Sequence, residues 1–318
     1  MSDAVILGYH RVSPSPQQDL LGRDLEVAVP RFTQQLEILA RRFSIVPFEE
    51  LLDWLAQGAG AGAKAVLTFD DGYEDNYMYA FPVLARMGVP ATVFLSTDNV
   101  EFARPFWTDR LAAWLGRSAG AVVAAPDEIA RLPRRLDLTS AEGVRLNYER
   151  LRTELSGLED DRRERVLERL GAQAVVPKPL TWDQVRSMHR DGITFGAHTR
   201  SHPSLPRLSD ASARTEVESS RDLIRARLGV APAAFAYPFG DVDDRVRRIV
   251  EAAGFRGAVT TRPGSCGPDA HPLLLPRLMV DDRPPQVFER SLTTTRFAAF
   301  LERARTHAGP GPSTDARR

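Results

Sequence analysis

The chain has 318 residues, 43% hydrophobic and 26% charged, with 42 Lys plus Arg balanced by 42 Asp plus Glu. That composition supports a sizeable buried core, and zero formal charge excludes a field that would draw the protein to nucleic acid or an anionic membrane. One cysteine, Cys266, rules out an intrachain disulfide; set in the loop-like "RPGSCGPDAHP", it reads as an inert thiol.

In chain order, the opening "MSDAVILGYHRV" lacks a basic region followed by a long apolar run, so it does not read as a secretory signal. No segment approaches the ~20 apolar residues of a membrane helix, and a cytoplasmic location is the expectation. Residues 5–9 are strand-length, and further short apolar runs follow at 44–46, 65–69, 92–95, 194–197, 235–237, 257–260 and 278–280. Helical periodicity fills 31–42, 48–57, 75–87, 182–190, 210–228 and 243–253. Thr181 and Gln184 form a capping box, and Gly88, Gly192, Gly229 and Gly254 stand where helices should end. This is an α/β chain. Strand–helix alternation implies a parallel sheet, because parallel neighbours need a crossover helix, and seven or eight such units imply a closed or nearly closed barrel.

One interval breaks the rhythm. Over about 100–180 the chain is rich in Arg, Glu and Leu, with helical spacing and no convincing strand. It reads as a helical insertion on one loop, which either shapes a cleft or pads the surface. Within it, "DRRERVLER" alternates acids and bases as a solvated helix face does. The domain so defined spans residues 1–305, and 306–318 read as a disordered tail.

Three short segments carry chemistry. In "AVLTFDDGYEDN", Asp70 and Asp71 follow a strand and precede Gly72. They either begin a turn and cap the next helix, or line the mouth that C-terminal strand ends form in parallel barrels. In "ITFGAHTRSHPSL", His198 and His202 stand at i and i+4 just past a strand; a helical turn there puts both imidazoles on one face. Two histidines with one carboxylate are a recurring three-ligand set for catalytic zinc with an open position. In "AAFAYPFGD" a strand enters a tight turn at Pro238, Phe239 and Gly240, which either links strand to helix or aims a backbone N–H into a pocket.

"TFDDG", "HTRSHP" and "YPFG", in this order, resemble the first three motifs of the polysaccharide deacetylases, the NodB-homology family or carbohydrate esterase family 4. The resemblance implies a distorted (β/α) barrel and one divalent metal. It implies Asp70 as general base, Asp71, His198 and His202 as metal ligands, and the Phe239 N–H as oxyanion donor. The ligand set favours Zn²⁺, with Co²⁺ or Ni²⁺ as substitutes. The pattern departs from the family in lacking an Arg ahead of the third motif; Arg277 in "LPRLMV" is the candidate that orients Asp70 instead. The late His271 and His307 follow no convincing strand. The opening strand "ILGYHRV" is similar to that of the circularly permuted poly-N-acetylglucosamine deacetylases, whose acid comes from this segment, which makes His10 the candidate general acid.

The expected substrate is an N-acetylated sugar: a polysaccharide, an oligosaccharide, or a lipid- or nucleotide-linked glycan precursor. Rival readings keep the same barrel, as a sugar O-acetyl esterase, a deformylase or other amidase, or a catalytically inactive carbohydrate-binding barrel.

Overall fold

The computed structural model describes residues 4–16, 25–129, 131–172 and 177–294. Its strands are β1 (Ala4–Tyr9), β2 (Arg11–Ser13), β3 (Glu26–Ala28), β4 (Ser44–Ile45), β5 (Lys64–Phe69), β6 (Thr92–Leu95), β7 (Val122–Ala124), β8 (Arg135–Asp137), β9 (Thr194–Ala197), β10 (Ala234–Ala236), β11 (Gly257–Val259) and β12 (Leu278–Met279). Eight of these form one sheet in the order β11-β10-β9-β6-β5-β1-β12, with β4 beside the start of β5. Its strand pairs are parallel.

The sheet curls, and one segment joins its two ends. Leu275 N–H donates to Ala258 O and Leu275 O accepts from Thr260 N–H, both at 2.9 Å, beside β11. A few residues on, Leu278 and Met279 pair with Leu7 and Gly8 of β1. The architecture is thus the expected (β/α) barrel.

Burial on both faces explains why the strands read as continuous apolar runs rather than alternating ones. In β1, Val5, Leu7 and Tyr9 enter the core beneath the outer helices, while Ala4 and Ile6 enter the inner core. The period of two assigns them to opposite faces. The helices are α1 (Val29–Arg42), α2 (Phe48–Ala56), α3 (Phe81–Met87), α4 (Thr97–Phe102), α5 (Trp107–Arg117), α6 (Ala141–Ser156), α7 (Asp160–Arg169), α8 (Trp182–Arg190), α9 (Asp210–Leu228) and α10 (Asp244–Ala252). The capping box of Thr181 and Gln184 forms at the start of α8, and α3 and α9 stop at Gly88 and Gly229 in left-handed conformations. Among the described residues, no helix is long and apolar enough to cross a membrane.

Three local expectations need correcting. The helix expected over 75–87 begins as a π-helical turn, Asn76–Ala80, before α3. Between α4 and α8 the chain forms α5, α6 and α7 but also an antiparallel hairpin of β7 and β8. Those strands have three residues each and bury only Leu136 fully, so they leave no period to read. The charged run "DRRERVLER" is not a solvated face: Val166, Leu167 and even Arg163 are buried. This segment has a hydrophobic core of its own, built on Trp107, Leu111, Leu136, Tyr148, Leu151 and Val166. The expected tail and His307 lie outside the described residues. Cys266 is buried, its backbone paired with Ala4.

Candidate active site

Strands β1 and β5 leave the sheet side by side, with Tyr9 opposite Phe69. Asp70 N–H donates to Tyr9 O at 2.9 Å, the last rung of that ladder. The chain then turns at Asp71 (φ 73°) and Gly72 (φ 83°), one residue earlier than a Gly72 turn alone would give. The two carboxylates therefore reach different partners.

Asp70 is buried and meets Arg277 through both oxygens, Nη1 to Oδ1 at 2.7 Å and Nη2 to Oδ2 at 2.6 Å. This bidentate fork fixes the carboxylate plane. Arg277 is 0% exposed, and is itself held by Thr260 O at Nε and Thr68 Oγ1 at Nη1. Burial alone would raise the Asp70 pKa, but the guanidinium outweighs it and holds the group well below the usual carboxylate range. Asp70 is ionised at neutral pH.

Past β9, His198 and His202 come together, though not by the expected helical turn. The loop is irregular, with Thr199 and His202 in left-handed conformations (φ 66° and 58°), and the imidazole centroids stand 4.8 Å apart. His198 Nε2 lies 3.6 Å and His202 Nε2 3.4 Å from Asp71 Oδ1. One donor atom from each of the three residues lies within 4.8 Å of the others.

The donor chemistry fits a divalent ion. Tetrahedral ligands about 2.1 Å from zinc lie roughly 3.4 Å from one another, which is the spacing of the Asp71–histidine pairs. His198 Nδ1 is 2.7 Å from Ala236 O; a carbonyl only accepts, so Nδ1 carries the proton and Nε2 presents its lone pair to the site. Burial lowers the pKa of both imidazoles, His202 the further, and keeps them in the neutral form that ligates.

Phe239 sits in the turn after β10 with φ 60° and ψ 2°. Its ring packs edge-on to His202, centroids 4.7 Å apart, while the next two N–H groups, of Gly240 and Asp241, bond within the turn. Of the six non-glycine residues with positive φ among those described, Asp71, Thr199, His202 and Phe239 surround this site. Strained backbone concentrated at one place is a functional signature.

His10 follows β1 directly and is partly buried. Its carbonyl accepts from Asn76 Nδ2 at 2.8 Å. Burial pushes its pKa down to about 4, against the upward pull of Asp70 and Asp109. The late His271 accepts from Leu273 N–H in a short turn before the closing strand.

Sequence reasoning missed the groups that hold the histidine loop. Buried Glu216 accepts from the N–H groups of Arg200 and Ser201 at 2.8 and 2.9 Å and from Ser201 Oγ at 2.8 Å. It lies on the buried stripe of α9 with Ala213, Val217, Ser220 and Ile224, so an acid on an apolar face was a readable signal. Trp107 and Arg163, which bond the same loop, gave none.

A curled parallel sheet whose strand ends gather an ionised, clamped carboxylate and a His-His-Asp donor set defines an α/β-barrel protein with an enzyme-like mouth. The family follows from comparison. The polysaccharide deacetylase model matches residues 58–258, more than half of the chain, and the chain belongs to that family. It is 23% identical over 300 residues to the YxkH protein of Bacillus subtilis, named for the same family, covering 93% of this chain and 75% of that one. Among solved structures it resembles the Streptococcus pyogenes deacetylase PplD, bound to acetate, with a TM-score of 0.63, 21% identity, and 92% of this chain and 97% of that one covered. It also resembles IcaB from Ammonifex degensii, with a TM-score of 0.61, 20% identity, and coverage of 92% and 97%. These structures share its fold.

Proposed function

We propose that this chain is a metal-dependent hydrolase that removes the acetyl group from N-acetylated sugars, with zinc held by Asp71, His198 and His202. The single observation that carries the reading is the three-donor cluster beside a separate carboxylate that Arg277 keeps ionised. A sugar-binding barrel needs no such division of labour. When bound, a divalent ion at this cluster would acidify water and polarise the acetyl carbonyl; Co²⁺ or Ni²⁺ would fit the same donors.

The chain's own residues supply the rest. Asp70, ionised and fixed in orientation, accepts a proton from the attacking water. The Phe239 N–H donates to the oxygen on which negative charge develops. His10, beside the same carboxylate and held neutral at rest by burial, takes up the proton that Asp70 accepted from the water and passes it to the leaving amine, which leaves Asp70 ionised again. The catalytic unit spans residues 1–305, with 100–180 inserted. Its substrate is a glycan chain or an activated precursor carrying the N-acetyl sugar.

The test is acetate release from N-acetylglucosamine oligomers and from lipid- or nucleotide-linked N-acetyl sugars, by zinc-loaded and chelator-treated protein. Zinc-dependent release from either class is the expected result. Release only from O-acetyl sugars, or formate from a formamide, would move the chain to a rival hydrolase; sugar binding without turnover would make it a binding barrel.

A further inference from the structure

The loop that carries His198 and His202 holds itself only in part, through the His202 N–H donating to Thr199 Oγ1 at 3.0 Å. It runs beyond the end of β9, outside the sheet ladder, with Thr199 and His202 in left-handed backbone that L side chains resist. Such conformations persist only where the surroundings over-determine them. Each carbonyl from 199 to 202 has an identifiable donor. Thr199 O and Arg200 O accept from the N–H groups of Thr97 and Asp98 at 3.1 and 2.9 Å, both at the start of α4 on the barrel. The other two are met from the insertion. Arg163 Nη2 of α7 donates to Ser201 O at 2.7 Å, and Trp107 Nε1 of α5 donates to His202 O at 3.0 Å.

Arg163 is 1% exposed. Its Nη2 also meets Asp160 Oδ1 at 2.7 Å, its guanidinium carbon lies 5.2 Å from the Trp107 ring centroid, and its Nε and Nη1 have no hydrogen-bond partner. A buried cation with two idle donors is a poor stabiliser of the insertion in its own right. Beyond the ion pair with Asp160, it makes one short, charge-assisted bond to the peptide just before His202. The Trp107 ring then continues the contact, 6.1 Å centroid to centroid from Phe239, which packs on the His202 imidazole.

We infer that Arg163 and Trp107 are positioning residues for His202: the insertion sets the aim of a metal ligand through the carbonyls of Ser201 and His202. This rests on the reading of Asp71, His198 and His202 as ligands. It gives the insertion a task distinct from shaping a cleft or covering surface. Removing a group that orients a ligand weakens metal binding about 10–100-fold, and neither residue needs to touch substrate.

The test is a zinc competition titration of the purified full chain against a chromophoric chelator, paired with thermal unfolding of the metal-free protein. Trp107→Phe keeps an aromatic side chain but removes the Nε1 donor with half of the indole; we expect zinc affinity to fall about 10-fold in a metal-free protein that still folds, with its lower melting temperature recorded separately. Arg163→Met should cost about 100-fold in affinity, and Arg163→Lys, which restores one charged donor, should recover most of it. Arg169→Ala, on an exposed arginine of the same helix paired with Glu128, should leave affinity unchanged. If Arg163→Met does not fold, Trp107→Phe and Arg163→Lys decide. Unchanged zinc affinity in a folded Trp107→Phe and Arg163→Met removes the positioning role while leaving the ligand assignment intact. A wild-type chain that binds no zinc removes both.

Discussion

Two arginines are fully buried beside the site, and the chain uses them in opposite ways. Arg277 belongs to the strand segment that closes the barrel and spends both Nη groups on the Asp70 carboxylate, with Nε on Thr260 O. Arg163 belongs to the insertion and meets the site through a backbone carbonyl alone. The first pairing is charge with charge, so it fixes an ionisation state as well as an orientation. The second fixes only where a peptide points. A barrel can build the electrostatics of its mouth from its own strand ends; the geometry of a loop that overhangs the mouth needs material from outside the sheet.

Three measurements can break or sharpen that contrast. The largest effect is expected from Asp70→Asn, which on the proposed division of roles, base rather than ligand, should lower turnover by roughly 10²–10⁴ while zinc binding survives. If zinc is lost as well, Asp70 belongs to the metal and the two halves of the site are not separate. Next, Arg277→Met should destabilise the fold by about 3–5 kcal/mol in denaturant unfolding, because Asp70 is left buried without its counter-charge. Adding Asp70→Asn should restore much of that loss; a double variant no more stable than Arg277→Met would mean that the arginine acts by packing.

The smallest effect concerns His10. Its folded pKa, about 4, lies below the unfolded value near 6.5. The unfolded chain therefore binds a proton that the folded chain refuses, and stability falls as pH drops from about 6.5 toward 4. Comparing melting temperatures of metal-free protein at pH 7 and pH 5, His10→Gln should lose less than wild type. An equal loss would place the sensitivity elsewhere.

Much of the barrel was legible because its strands are buried on both faces and its helices are punctuated by caps and glycines. β6, β9, α8 and α9 begin and end where periodicity and caps put them. The insertion was not legible in that way. Its hairpin strands are too short to show a period, and a buried Arg163 looks like any surface arginine until its carbonyl acceptor is known. At the site, residue types pointed to Asp70, Asp71, His198 and His202, but the spacing of four was read for the wrong reason. A helix would have brought the imidazoles together cheaply; the chain uses two left-handed residues instead and braces them with Glu216. Such bracing comes from tertiary contacts that no local pattern announces.

The strand segment at 275–280 has a consequence for how the protein comes into being. It seals the seam between β11 and β1 and delivers Arg277 to a carboxylate 207 residues earlier in the chain. The same segment seals the barrel and supplies the counter-charge of Asp70. Asp70 therefore meets its counter-charge only after more than two hundred further residues of the chain have been made. Under the proposed roles, a barrel without its last strand would hold the three donors of Asp71, His198 and His202 while Asp70 lacked its counter-charge.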